Sequence, residues 1–149
     1  MDVPAELLSL LSGRPDVGER EQAFPFLTVD ENGFPHVALL SRAEIEVAGA
    51  AEILAVVASK RTCANLRRDG RAGLIAVNGT VASYAKLRVA RMIEVGNLLG
   101  CGLVVTEYKS DSLGIPLQPI SFVATADIAQ MESWDASERL LRNLADQAG

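Results

Sequence analysis

The chain has 149 residues, 49% of them hydrophobic and 22% charged, with a formal net charge of −5. That size and apolar content suit a single domain over residues 1–149 that folds without staples, and disorder is not the default for it. The acidic balance argues against a broad nucleic-acid surface. No run approaches bilayer length, and Met1-Asp2-Val3-Pro4 lacks the basic start of a signal peptide, so a soluble, cytoplasmic protein with no membrane partner is expected.

In chain order, Pro4 to Leu11 places Leu7, Leu8, Leu10 and Leu11 before Gly13, the pattern of a short amphipathic helix with a glycine stop. Arg14 to Glu21 reads as a connection. Ala23 to Val29 and Phe34 to Ser41 flank Asp30-Glu31-Asn32-Gly33 and predict a hairpin. Glu44 to Val47 and Ile53 to Ala58 predict a second hairpin around Ala48-Gly49-Ala50, and Arg61 to Arg68 a compact helix closed by Asp69-Gly70. Strands are expected over Ala72 to Val77, Thr80 to Val95, Leu103 to Tyr108 and Ile120 to Thr125, with Lys109 to Pro119 as a loop. Leu140, Leu141 and Leu144 give helical spacing to Asp135 to Gln147, with Ser133 or Asp135 as its cap. The fold class is mainly β with a few helices, and six or more hairpin-linked strands favour an antiparallel barrel over a βαβ sheet.

The strongest functional signal is Ser59-Lys60-Arg61-Thr62-Cys63-Ala64-Asn65-Leu66-Arg67-Arg68, directly after an apolar strand. If strand turns to helix here, Lys60 and Arg61 supply cations, Ser59 and Thr62 hydroxyls, and the helix start free N–H groups, a set suited to phosphate. A plain N-cap beside solvated surface charge fits the same residues. Lys60, Arg61, Arg67, Arg68 and Arg71 form a local basic stretch in an acidic chain, which suits a small anion better than a polymer. There is no GxxxxGK[ST] loop and no GxGxxG, so neither an NTPase loop nor a dinucleotide fold is supported.

Cys63 and Cys101 have no metal-like or redox-like spacing and read as reduced, buried thiols, with Cys63 a candidate thiolate if its cationic neighbours act on it. His36 is the only histidine, so one chain builds no multi-histidine metal site; a structural hydrogen bond is the plainer role for it. Lys86 and Arg88 share one strand face, with Arg91 beyond them, as a solvated edge or a charged rim. Trp134 reads as a packing anchor for the last helix.

The succession of Asn32-Gly33-Phe34-Pro35-His36-Val37 at a hairpin, then a strand, then Ser59 to Asn65 and Leu66-Arg67-Arg68-Asp69-Gly70-Arg71, resembles the pyridoxamine 5′-phosphate oxidase-like family of FMN-binding split barrels. The likeness covers residues 23–95 well and the remainder in strand order. It implies a six-stranded antiparallel split barrel and a homodimer with FMN between the subunits, acting on a small-molecule substrate as an oxidoreductase, or a module that binds flavin or haem without turnover; haem or a deazaflavin in place of FMN stays open. Carried onto this chain, Arg61 and Thr62 would hold the phosphate, Ser59 and Lys60 would flank them, and Asn65 would pack or hydrogen-bond at the helix. Val56, Val57 and Ala58 would line the isoalloxazine edge, with Leu39, Leu40 and Ser41 opposite. The family's oxidases carry a basic residue on the second strand, where this chain has Ala38-Leu39-Leu40-Ser41. The phosphate would thus lose one charge-assisted contact, worth about 1.5 to 3 kcal/mol.

Overall fold

The structure is a computed structural model that describes residues 1–148. A short helix, α1 (Ala5–Leu11), precedes β1 (Arg20–Gln22), β2 (Phe24–Val29), β3 (Pro35–Leu40), β4 (Ile45–Ala48) and β5 (Glu52–Val57). Then come α2 (Lys60–Arg68), β6 (Arg71–Asn78), β7 (Val81–Val95), β8 (Leu98–Ser112), β9 (Ser121–Val123), α3 (Ala126–Met131) and α4 (Trp134–Ala148). Seven strands form one antiparallel sheet in the order β3-β2-β6-β7-β8-β5-β4, curled into a half-barrel, and β1 pairs with β9 in a separate two-stranded sheet.

The alternation of β2 explains its place. Phe24, Phe26 and Thr28 are buried on the inner face, opposite Leu40, Ala38 and His36 of β3. Pro25 and Leu27 take the outer face. By contrast, β5 is a continuous apolar run because it is covered on both sides. Ile53, Ala55 and Val57 join the barrel core with Leu7 and Leu11 of α1, while Leu54 and Val56 lie beneath Leu140, Leu141 and Leu144 of α4.

Several expectations need correction. The main sheet has seven strands rather than six. Residues 109–112, expected in a loop, extend β8 by pairing with β7, as in Tyr84 opposite Lys109. At its start β8 reaches back to Leu98, forming a 15-residue hairpin arm equal to β7 with two register irregularities. Glycine hid that start. Gly100 runs under α4, where an added Cβ would lie 2.8 Å from Leu144 Cδ1 and 3.0 Å from Leu140 Cγ, so the close approach requires a residue of low strand propensity. The presumed connection before Gln22 contains β1, and only Ser121–Val123 of the last expected strand pairs as a strand. Ser133 sits between α3 and α4 at φ 55°, its carbonyl accepting from the Ser137 N–H.

Candidate functional site

The apolar end of β5 delivers the chain to Ala58 and Ser59, and Ser59 starts α2. Its backbone is extended (φ −60°, ψ 125°), its Oγ accepts from the Thr62 N–H at 3.4 Å, and its carbonyl accepts from the Cys63 N–H at 2.9 Å. The first turn has no acidic residue, and the N–H groups of Lys60 and Arg61 form no hydrogen bond among the described residues. A helix start in this state carries partial positive charge.

The structure sorts the basic stretch into spent and unspent charges. Arg67 pairs with Glu94, Arg68 donates to Val29 O and Asn65 Oδ1 at 2.7 Å, and Arg71 pairs with Asp69. That pair holds the Asp69 carboxyl at about 2. Lys60 and Arg61 are exposed and have no carboxylate partner among the described residues. Behind them Thr62 is fully buried with no partner for its Oγ1. An unspent helix start, two unpaired cations and an orphaned hydroxyl in one turn fit an anionic group such as the phosphate of FMN. Asn65 is buried in the same helix, donating to Thr28 Oγ1 at 3.0 Å, and so ties α2 to β2.

Beside this turn lies a cavity of about 180 Å³ whose lining includes Leu39, Leu40, Val56, Val57, Ala58 and Ser59, together with Glu44, Glu132 and Ser137. Four of the nine sequence-derived binding residues, Leu40, Val57, Ala58 and Ser59, therefore meet at one cavity. Ser41 lies in an adjoining cavity of about 330 Å³ that shares Leu39, Leu40, Glu44 and Glu132 with the first. Lys60 lines a third, of about 250 Å³, with Cys63, Arg67 and Glu94. Arg61 stands in solvent, and Thr62 and Asn65 are buried behind it.

The other candidates resolve clearly. Burial is the main cause that pushes the Cys63 thiol upward, outweighing Arg67, and it pushes Cys101 to about 12, so neither is a thiolate. His36 lies opposite Thr28, whose hydroxyl is taken by Asn65, and makes no side-chain hydrogen bond among the described residues. Lys86 pairs with Glu107 across the strand. Arg91 binds Glu52 at 2.8 and 3.0 Å and Leu144 O at 2.7 Å, which fastens α4 to the sheet.

Sequence reasoning passed over Glu44. It is half-buried, its Oε2 accepts from the Ser41 N–H at 2.7 Å and from Ser41 Oγ, and burial holds its carboxyl above the usual range. A lone acid between Ser41 and the apolar Ile45 was the only signal available. Glu132, Phe122 and Trp134 reach the site through the β9–α3–α4 segment, which no local pattern connects to β3.

No family model matches the chain. An uncharacterized protein, YclD, of Bacillus subtilis is 35% identical over 85 residues, 56% of this chain and 55% of its own, so the chain spans about half the length of that curated relative. Several solved structures align at TM-scores above one half, among them two with flavin-related names. An FMN-binding protein from Syntrophomonas wolfei has TM-score 0.55 at 17% identity, covering 72% of this chain and 88% of its own. The styrene monooxygenase flavin reductase of Pseudomonas putida S12 has TM-score 0.53 at 12% identity, covering 71% and 88%. The fold is the split barrel of the pyridoxamine 5′-phosphate oxidase-like type. At these identities the likeness establishes the fold of this split barrel, and its chemistry has to be argued from its own residues. No helix among the described residues is long and apolar enough to cross a membrane.

Proposed function

We propose that this split barrel is an FMN-binding flavoprotein, homodimeric and cytoplasmic, that acts as an oxidoreductase on a small organic molecule. The carrying observation is the first turn of α2, where Lys60 and Arg61 remain unpaired beside an unspent helix N-terminus and the orphaned Thr62 hydroxyl. Arg61, Thr62 and the backbone there would hold the phosphate, with Ser59 and Lys60 flanking and Asn65 fixing the helix. Val57 and Ala58, with Leu40 and Ser41 opposite, would bound the ring system. Bound FMN would supply the redox chemistry, and the chain would orient it and exclude water. The solved relatives named for FMN binding and flavin reduction support a flavin as the ligand class.

The homodimer draws support from two features. The cavity of about 180 Å³ is smaller than the roughly 300–1,000 Å³ of typical ligand sites, so one chain forms only part of an enclosure for a flavin. The outer face of β3, β2, β6 and β7 also leaves apolar side chains uncovered: Val37 and Leu39 are 53% and 52% exposed, beside Leu27, Ile75 and Tyr84. A second copy would cover that face.

FMN titration with the Lys60→Ala/Arg61→Ala variant tests the assignment, because both side chains are exposed and their removal leaves the core intact. An affinity drop of about tenfold or more is expected from the loss of two charge-assisted contacts. Undiminished affinity would refute the site. One observation favours a second reading, a flavin- or haem-binding module without turnover: no Lys or Arg of β3 replaces the second-strand cation of the family's oxidases. A flavin spectrum that neither NADH nor NADPH bleaches would support that module.

A further inference from the structure

We infer that α3 is a lid on the cavity of about 330 Å³: residues 125–133 open by losing their helix, pivot at Ser133, and so control access to the space beside Phe122 and Trp134. The inference concerns entry to that space and stands whether or not the chain takes a flavin.

Both ends of the stretch are fixed. On one side β9 rides on β1, and β1 is fastened twice: Arg42 donates to both oxygens of Glu21 at 2.9 Å, and the Gln22 amide exchanges bonds of 2.8 and 2.9 Å with the Val77 N–H and carbonyl. The chain leaves β9 through Ala124, which is fully buried, its N–H donating to Glu19 O at 2.9 Å and its carbonyl accepting from the Gly18 N–H at 2.7 Å. On the other side α4 is seated on the sheet by Leu140, Leu141 and Leu144, and Ser137 in its first turn is buried.

Little holds the chain between these ends. α3 has six residues and buries none of them. Met131 is 79% exposed, and only Ile128 and Ala129 of the helix are half-buried, Ile128 on the cavity wall. The bonds at its start and end are its own: the Ile128 N–H donates to Thr125 Oγ1 at 3.1 Å, the Ala129 N–H to Thr125 O at 3.0 Å, and the Glu132 N–H to Ile128 O at 2.8 Å. A helix this short has no stability of its own, so it melts once Ile128 leaves the wall. The pivot carries strain as well. Ser133, at φ 55°, is the one non-glycine residue with positive φ among the described residues. A side chain disfavours that region, and the closed arrangement holds Ser133 there between two helices. Opening releases that strain while closing regains the contacts of Ile128, a balance that a single residue can shift. A cavity roofed in this way excludes bulk water when closed and exchanges its occupant when open.

Hydrogen exchange of the full chain, combined with acrylamide quenching of Trp134, the only tryptophan, tests the lid. The amides of residues 128–133 are expected to exchange about a hundredfold faster than those of residues 140–145 in α4. Ser133→Gly removes the strain of the closed state, and should slow exchange in 128–133 about threefold and lower the quenching of Trp134. Ser133→Val, β-branched and worse at positive φ, should do the opposite. Ile128→Ala leaves the pivot alone, should likewise speed exchange and raise quenching, and serves if Ser133→Val fails to fold. Exchange in 128–133 as slow as in α4, or no response to Ser133→Gly, would overturn the lid. Altered exchange with unaltered quenching would overturn it too, since α3 would then fray without uncovering the cavity. So would a response that spreads through α4, which would assign Ser133 to global stability.

Discussion

Replacing Thr62 by valine gives a prediction of opposite sign in the free and flavin-bound protein. Thr62 is 0% exposed and its hydroxyl has no partner, so valine removes an unsatisfied buried polar atom while keeping shape and near-equal helix propensity. Burying such a hydroxyl costs about 1–3 kcal/mol, and taking the low end predicts a free protein more stable by ~1 kcal/mol, or a Tm roughly 2–4 °C higher. If the hydroxyl instead serves the FMN phosphate, its loss weakens binding by about tenfold. With FMN at a hundred times the wild-type Kd, wild type gains about 2.7 kcal/mol and the variant only about 1.4. Urea unfolding with and without FMN measures both quantities. A free variant no more stable than wild type would show that the hydroxyl is already satisfied. An undiminished FMN increment would show that it is not a phosphate ligand.

Three further outcomes are expected. Gly100→Val should destabilise by roughly 1–3 kcal/mol, because its side chain meets Leu144 and Leu140 at close range and must displace α4; an unchanged thermal midpoint would mean that helix is loosely seated. Cys63 and Cys101 should resist iodoacetamide in the native state and react only on unfolding, since burial holds both as neutral thiols; rapid native labelling of either would contradict their environment. Glu44 should make stability fall as pH rises. Burial, with the nearby Glu132, raises its folded pKa, while the Ser41 N–H and hydroxyl and the Trp134 indole oppose the rise. The folded state therefore binds more protons than the unfolded state between the ordinary carboxyl value and the folded one, and the penalty is complete above the latter. Glu44→Gln should accordingly gain most over wild type at neutral pH and lose that gain on acidification, as thermal melts across pH will show; a gain that grows on acidification would reverse the assigned sign.

The parts of the fold that the sequence disclosed are those fixed by local chemistry. The β2–β3 turn is one: Asp30 Oδ1 accepts from the Asn32 and Phe34 N–H groups at 2.9 Å, and Gly33 takes φ 86°. The junction of β5 with α2 is another, because an apolar run, a Ser N-cap and a terminal glycine lie consecutively. What escaped was fixed by distant contacts. Arg20 meets Val123 and Gln22 meets Ser121 across about a hundred residues, so neither β1 nor β9 carries its pairing in its own pattern. The start of β8 escaped for the converse reason, since the glycine that weakens its strand signal is there to admit the leucines of α4.

The same distinction governs the site. Composition placed five basic residues together but did not rank them, because ranking depends on which carboxylates and carbonyls other strands bring near. Glu94 from β7 takes Arg67 and Val29 from β2 takes Arg68, while the Asp69–Arg71 pair and the Arg68 bond to Asn65 are local. What remains, Lys60 and Arg61, stands at the end of α2 whose N–H groups are also unspent. Charges exposed to solvent are screened and individually weak. An anion held there thus depends on several modest contacts converging, more so because β3 contributes no cation. Glu44 shows the opposite economy: it is one acid, half removed from water, to which the neighbouring strand and helix bring no cation, so its surroundings set its protonation.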